Sequence, residues 1–124
     1  MGDDDATLDA EVVALAWDLY RQLGLSDLTL HLNSIGDAQC RPPYLEILRN
    51  YYQQHERFLC VDCRNRLDQN PLRLLDCKQA ACQGFIQDAP RSIDHLCVPC
   101  REHWGRLISY LDVLGISYNV DHRL

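Results

Sequence analysis

Apolar residues recur every three or four positions near the start of the chain, at Leu8, Val12, Leu15, Leu19 and Leu23. This spacing predicts an amphipathic helix that packs through one apolar face. Thr7 is suited to cap the start of this helix, and Gly24 is typical of its end. The first element is therefore predicted to be a helix.

The next segment, 28–33, alternates between apolar and polar residues, as a half-buried strand does. The turn-forming residues Ser34–Asp37 follow it. His31 falls on the polar phase of the alternation, so we expect it to face solvent and to take no part in catalysis.

Two further helices frame the middle of the chain. Pro42 and Pro43 suit the first turn of one, and its apolar stripe comprises Tyr44, Ile47, Leu48, Tyr51, His55 and Phe58 or Leu59. The other is predicted from about Pro99 or Arg101 to Leu114, with its apolar side formed by Trp104, Leu107, Ile108, Leu111 and Leu114. Gly115 would end it before a strand over 116–120.

This order predicts an α+β fold in which both framing helices pack on the same strands. Residues 1–58 and 101–124 would form the core, and residues 59–100 a Cys-rich helical insert with a narrow neck. The insert has little periodicity and is broken at Asn70-Pro71 and Ala89-Pro90.

The insert contains two Cys-x-x-Cys motifs, and such pairs commonly supply the four thiolates of a tetrahedral structural zinc site. Our first choice of ligands is Cys60, Cys63, Cys97 and Cys100. A zinc bound by these residues would close the neck of the insert. A closed site of this kind leaves no position for a substrate, so catalysis by the zinc is not expected.

Other ligand sets remain open. Cys77 and Cys82 have a compatible spacing and can combine with either motif. His95 or His103 can replace a thiol, although a surface or supporting position is favoured for both histidines. Cys40 lies outside the cluster and is interpreted as a buried small apolar side chain. A thioredoxin-like redox role is disfavoured because neither motif opens a helix after a strand in a βαβ unit.

Charge is unevenly distributed within a total of −6. Residues 1–40 carry eight acidic residues against Arg21, whereas residues 41–106 are mildly basic. Five basic side chains near the motifs are candidates for binding a phosphate backbone, namely Arg64, Arg66, Arg73, Lys78 and Arg91. No apolar run reaches the roughly 20 residues of a membrane span, and no signal-like segment follows Met1. We therefore expect a cytoplasmic protein with reduced thiols and no membrane contact.

Several blocks carry a family resemblance, namely 8–16 (LDAEVVALA), 32–37 (LNSIGD), 70–78 (NPLRLLDCK), 88–90 (DAP) and 119–124 (NVDHRL). In this order they strongly resemble bacterial histidyl-tRNA synthetases of class II, over nearly the whole chain. The matching stretch lies between motif 2 and the histidine-specific signature of that family.

The resemblance implies a segment of a class II catalytic domain with an antiparallel sheet, carrying a small helical insertion that approaches the acceptor arm of tRNA(His). It implies a homodimeric ligase that uses ATP and magnesium, with a structural zinc in the Cys-rich insertion. The family's catalytic residues would lie before Met1 or after Leu124, so none is assigned to this chain, and the chain alone is expected to be inactive.

Two alternatives differ in function. The synthetase-like regulatory subunit of ATP phosphoribosyltransferase shares the catalytic core but generally lacks the insertion, so it ranks lower. A free-standing zinc-stabilised RNA-binding or interaction module derived from the synthetase is the alternative from another class.

Overall fold

A computed structural model describes residues 5–124. The stretch Met1–Asp4, which bears on the expected absence of a signal segment, lies outside these residues. Within them the elements are α1 Ala6–Gln22, β1 Leu30–Leu32, α2 Arg41–Gln54, α3 Val61–Gln69, α4 Ala80–Asp88, α5 Val98–Leu114 and β2 Tyr118–Val120. Short 3₁₀ turns occupy Glu56–Phe58, Pro71–Asp76 and Ser92–His95.

Helix α1 is capped by an earlier residue than the one we predicted. The Asp5 carboxylate accepts hydrogen bonds from the backbone N–H and the hydroxyl of Thr7, each at 2.9 Å. Asp5 is therefore the cap, and Thr7 lies in the first turn. Gly24, beyond the end of the helix, has a φ of +87°, a conformation that glycine adopts without strain.

The buried face of α1 is not the leucine-rich stripe that we predicted to pack. Ala6 and Ala10 are buried, in one core with Leu107 and Leu111 of α5. Small alanine side chains allow the two helices to approach closely. The predicted stripe is instead largely exposed, with Leu15 72% exposed, because no other described residue covers it.

Strands β1 and β2 form a two-stranded parallel sheet, in the register Leu30 to Tyr118 and Leu32 to Val120. The family resemblance predicts an antiparallel sheet, whereas strands β1 and β2 run parallel to each other. His31 is exposed, as predicted from the alternation, and lies 3.9 Å from the Asp121 carboxylate.

Helix α2 packs on the insert, so the expectation that both framing helices pack on the strands is wrong. Its buried residues Tyr44, Leu48 and Tyr52 share a core with the insert. Two tyrosine hydroxyls strengthen this contact: Tyr44 donates to the Pro90 carbonyl at 3.0 Å, and Tyr51 to that of Phe85 at 2.8 Å. The structure thus has one core around α1, α5 and the strands, and a second around α2 and the insert.

Helix α5 ends as predicted. Gly115 adopts a left-handed φ of +70°, and the next N–H, of Ile116, donates to the Leu111 carbonyl at 3.0 Å. After β2 the chain reaches back to the insert, where a ring nitrogen of His122 lies 2.8 Å from the Ile86 carbonyl. In residues 5–124 every helix is too short or too polar to span a bilayer.

Two neighbouring residues on α2 test which face carries the second core. Leu48 is fully buried, whereas Ile47 is 38% exposed. We expect Leu48→Ala to lower the free energy of unfolding by about 2–5 kcal/mol, because it leaves a cavity in the core. Ile47→Ala is the matched control and should cost less than half as much in urea unfolding. Equal losses would contradict the described orientation of α2.

Candidate metal centres

The structure distributes the metal-ligand candidates between two separate clusters. Cys60, Cys63, Cys77 and Cys82 form one, which we call the insert centre. Asp37, Cys40, Cys97 and Cys100 form the other, which we call the neck centre. In each, the four ligand atoms lie within 4.8 Å of one another.

Our first-choice set of Cys60, Cys63, Cys97 and Cys100 is therefore not brought together. The physical reason is that the two Cys-x-x-Cys motifs open different helices, which belong to different parts of the fold. Cys60 and Cys63 open α3 inside the insert, whereas Cys97 and Cys100 open α5. The alternative that joins Cys77 and Cys82 to the first motif is the arrangement observed.

The local structure explains why each motif presents its sulfurs together. Cys60 precedes the first residue of α3 and Cys63 is the third residue of that helix, so both lie at its amino-terminal end. Cys97 and Cys100 occupy the same two positions of α5. The two sulfurs of each motif are therefore presented on the same end of one helix.

The insert centre has a geometry suited to a tetrahedral metal ion. The Cys60 and Cys77 sulfurs are 3.8 Å apart, which equals the edge of a tetrahedron with metal–sulfur distances of about 2.3 Å. The backbone N–H of Cys60 points at the Cys82 sulfur, 3.3 Å away. Four thiols of this kind fit zinc, which prefers sulfur ligands in closed structural sites.

The thiols of the insert centre differ in their electrostatic environment. A hydrogen bond from the Cys63 backbone lowers the pKa of Cys60 to about 7. Burial raises the pKa of both Cys63 and Cys82. Buried thiols of this kind ionise readily only beside a cation, which a bound metal would supply. The nearby Tyr52 hydroxyl is buried without a hydrogen-bond partner among residues 5–124.

The neck centre joins the turn after β1 to the start of α5. Both carboxylate oxygens of Asp37 lie 3.6 Å from the Cys97 sulfur. The backbone N–H of Asp37 donates to the Cys40 sulfur at 3.3 Å. Cys40 is buried, as predicted, but it is a member of this cluster and not an isolated apolar side chain.

Backbone hydrogen bonds also set the charges in the neck centre. The backbone N–H groups of Cys40 and Gln39 donate hydrogen bonds to the Asp37 carboxylate, and these bonds hold its pKa far below the usual range. A hydrogen bond from the Cys97 backbone lowers the pKa of Cys40. Burial raises the pKa of Cys100 to about 12. Sequence reasoning missed Asp37, although Asp37-x-x-Cys40 has the spacing of a Cys-x-x-Cys motif.

Among residues 5–124, neither candidate histidine belongs to a metal-ligand cluster. His103 Nε2 lies 3.1 Å from an Asp9 carboxylate oxygen, which links α5 to α1. The His95 ring lies against Tyr44, with ring centroids 6.0 Å apart. Both side chains are partly buried, and each supports packing between elements.

The candidate phosphate-binding residues lie in or beside the insert but differ in their surroundings. Arg73, Lys78 and Arg91 are exposed, and Arg66 is partly buried. Arg64 is exposed, yet its guanidinium already donates to two main-chain carbonyls, of Glu56 and Arg57, at 3.1 and 2.9 Å. Arg64 therefore stabilises the turn before α3.

No family model matches the chain. Similar proteins are nevertheless found along its whole length. The histidine–tRNA ligase of Dehalococcoides mccartyi strain BAV1 is 52% identical over 124 residues, which is 100% of this chain and 30% of the ligase. That of Desulforamulus reducens is 45% identical over 123 residues, 99% of this chain and 29% of the ligase.

A solved structure agrees with these matches. The apo histidyl-tRNA synthetase of Staphylococcus aureus superposes with a TM-score of 0.72 at 33% identity. The superposition covers 99% of this chain and 28% of that protein. The chain thus spans about 30% of the length of the curated relatives it matches. The resemblance seen in its sequence is confirmed: the chain is homologous, from end to end, to one segment of bacterial histidine–tRNA ligases.

Proposed function

We propose that the chain acts as part of a cytoplasmic histidine–tRNA ligase, which activates histidine with ATP and magnesium and transfers it to tRNA(His). The observation that carries this proposal is sequence identity of 45–52% to such ligases across 99–100% of the chain. The segment would supply scaffold and an insertion directed at the tRNA acceptor arm, and no catalytic residue.

Two features support the view that this segment packs against the remainder of a longer chain. The outer face of α1 is apolar and open to solvent, with Val12 68% and Leu15 72% exposed. The sheet has only two strands, and both of its outer edges are unpaired within residues 5–124. Such a sheet is marginally stable alone, so pairing with the antiparallel sheet of a class II catalytic domain would complete it. The whole enzyme would be a homodimer, as the family resemblance implies.

The insert centre supports a structural zinc. Its four cysteines come from α3, the 3₁₀ turn Pro71–Asp76 and α4, together with the residues that border them, so a zinc ion would join the three elements of the insert. Three of these cysteines are themselves part of the small core. A core of this size gains stability from a metal that binds only the folded state.

The exposed cations of the insert support contact with tRNA. Arg73 and Lys78 lie on either side of Cys77 in sequence, so the zinc would hold the backbone near both, whereas Arg91 follows α4 and lies further along the chain. Arginine and lysine side chains bind phosphate oxygens and position a protein on the nucleic acid backbone. Arg64 and Arg66 remain candidates, although Arg64 also has the structural contacts described above.

The proposed activity is tested by expressing the uninterrupted reading frame that contains this segment. We expect that protein to catalyse histidine-dependent exchange of pyrophosphate with ATP and to charge tRNA(His), and residues 1–124 alone to do neither. The downstream frame should continue with Val-Arg-Gly-Leu-Asp-Tyr-Tyr. A frame lacking this signature, or a full-length product with no histidine-dependent exchange, would refute the proposal.

The insert zinc is tested with the double variant Cys63→Ser/Cys82→Ser. We expect elemental analysis to show one zinc equivalent fewer per chain, together with a lower unfolding temperature. Leu67→Ala is the control, because Leu67 is a buried residue of α3 outside the metal cluster. It should destabilise the protein by about 2–5 kcal/mol without changing the zinc content. Unchanged zinc in the double variant would exclude the site.

The tRNA interaction is tested in the full-length enzyme by replacing Arg73, Lys78 and Arg91 with Glu. We expect weaker binding of tRNA(His) and a shallower dependence of log K on log salt concentration, by about 0.7–0.9 for each phosphate that the protein no longer neutralises. Arg21→Glu, an exposed change on α1, is the control for a charge reversal outside the insert, and its effect is compared with that of each single reversal, Arg73→Glu, Lys78→Glu and Arg91→Glu. If the dependence of log K on log salt concentration is unchanged in the triple variant, these residues do not bind phosphates of the tRNA.

A further inference from the structure

We propose that the neck centre is a second metal site, in which Asp37, Cys40, Cys97 and Cys100 bind a zinc-like divalent cation independently of the insert centre. This proposal concerns the residues of this chain alone and does not depend on ligase activity.

The donor set selects the class of metal. Three thiolates and one carboxylate offer ligands that zinc accepts, whereas magnesium and calcium prefer oxygen ligands throughout. The ligand atoms lie within 4.8 Å of one another. Cys97 and Cys100 are partly exposed, so a metal ion can reach the site from solvent. Cys40 is buried, so the ligand on the inner side of the site is held in place by the surrounding residues.

The backbone is already arranged around this cluster. Cys40 and Cys97 each immediately precede a helix, α2 and α5, so two helix amino termini converge there. Gly36 has a φ of +73°, and a β-carbon at this position would collide with the Cys40 sulfur. The turn therefore needs glycine both for its conformation and for the close approach of the thiol.

The position of the site indicates what the metal does. It joins the end of the turn after β1 to the first turn of α5, and all of α2 and the insert lie between these two points in sequence. A metal there closes the neck of the insert, the role that the sequence suggested for a zinc joining Cys60 and Cys97. The orientation of the insert against the α1–α5 core would then depend on this ion.

A simpler role for Asp37 has to be distinguished from metal binding. Its carboxylate accepts N–H bonds from Gln39 at 2.9 Å and Cys40 at 3.1 Å, as an Asx turn does. Asp37→Asn keeps an oxygen acceptor for these bonds but removes the anionic ligand. Asp37→Cys removes the carboxylate acceptor but supplies a thiolate.

The first experiment is titration of the reduced, metal-free chain with Co²⁺, followed by its visible and thiolate charge-transfer absorption. We expect two equivalents in the unsubstituted chain and one in both Cys63→Ser/Cys82→Ser and Cys97→Ser/Cys100→Ser. Co²⁺ binding to the unsubstituted chain that Cys97→Ser/Cys100→Ser retains in full would overturn the proposal, whereas a single equivalent that this variant loses would still place a metal at the neck centre.

The Asp37 variants then identify the fourth ligand. We expect Asp37→Cys to keep two equivalents and to gain thiolate charge-transfer absorption. Asp37→Asn should weaken Co²⁺ binding at the neck centre by at least the roughly 10–100-fold that loss of an outer-shell partner costs. If Asp37 only stabilises the turn, Asp37→Asn will bind like the unsubstituted chain and Asp37→Cys will gain no absorption. That pair of results would exclude Asp37 as a ligand.

Discussion

The structure depends on how two small cores are held together across a narrow neck. One core is formed by α1, α5 and the strands, and the other by α2 and the insert. The second includes Cys63, Cys77 and Cys82 among its buried residues. Thiols thus take positions that larger apolar side chains fill in an ordinary core. A fold that gives up apolar volume in this way gains most from ligands that bind the folded state.

The sequence alone predicts the elements with the clearest periodicity. The helix α5 and its end at Gly115 follow from the spacing of Leu107 and Leu111 and from the glycine, although the helix begins at Val98, slightly before the predicted Pro99 or Arg101. Periodicity does not say which apolar side will be covered within a given chain. In α1 the leucine stripe is exposed and Ala6 and Ala10 are buried, because close helix packing rewards small residues where a neighbouring helix is present.

The metal centres show a similar limit of local patterns. The Cys-x-x-Cys spacing correctly places two sulfurs at the start of one helix, since that relation is local. Which cysteines join a given motif depends on which elements are neighbours in the fold. Cys77 lies beside Cys60 because the insert folds back on itself between them. Asp37 is harder to find, because an aspartate before a helix is usually only a cap. Its proximity to Cys97, 60 positions later, is visible only in the folded chain.

Under the proposed function, the two metal centres would lie one after the other between the α1–α5 core and the residues proposed to contact tRNA. The neck centre lies where the chain leaves and re-enters the α1–α5 core, and the insert centre lies beyond it, near the exposed cations Arg73 and Lys78. Each centre brings together residues from different elements, so a metal bound there would restrict one kind of motion. The neck centre would restrict rotation of the insert as a whole, and the insert centre would restrict rearrangement of its short helices. Precise presentation of a few cations needs both restrictions, because a phosphate contact contributes little when its side chain must first be positioned. This requirement gives a physical reason for a segment of 124 residues to carry seven cysteines.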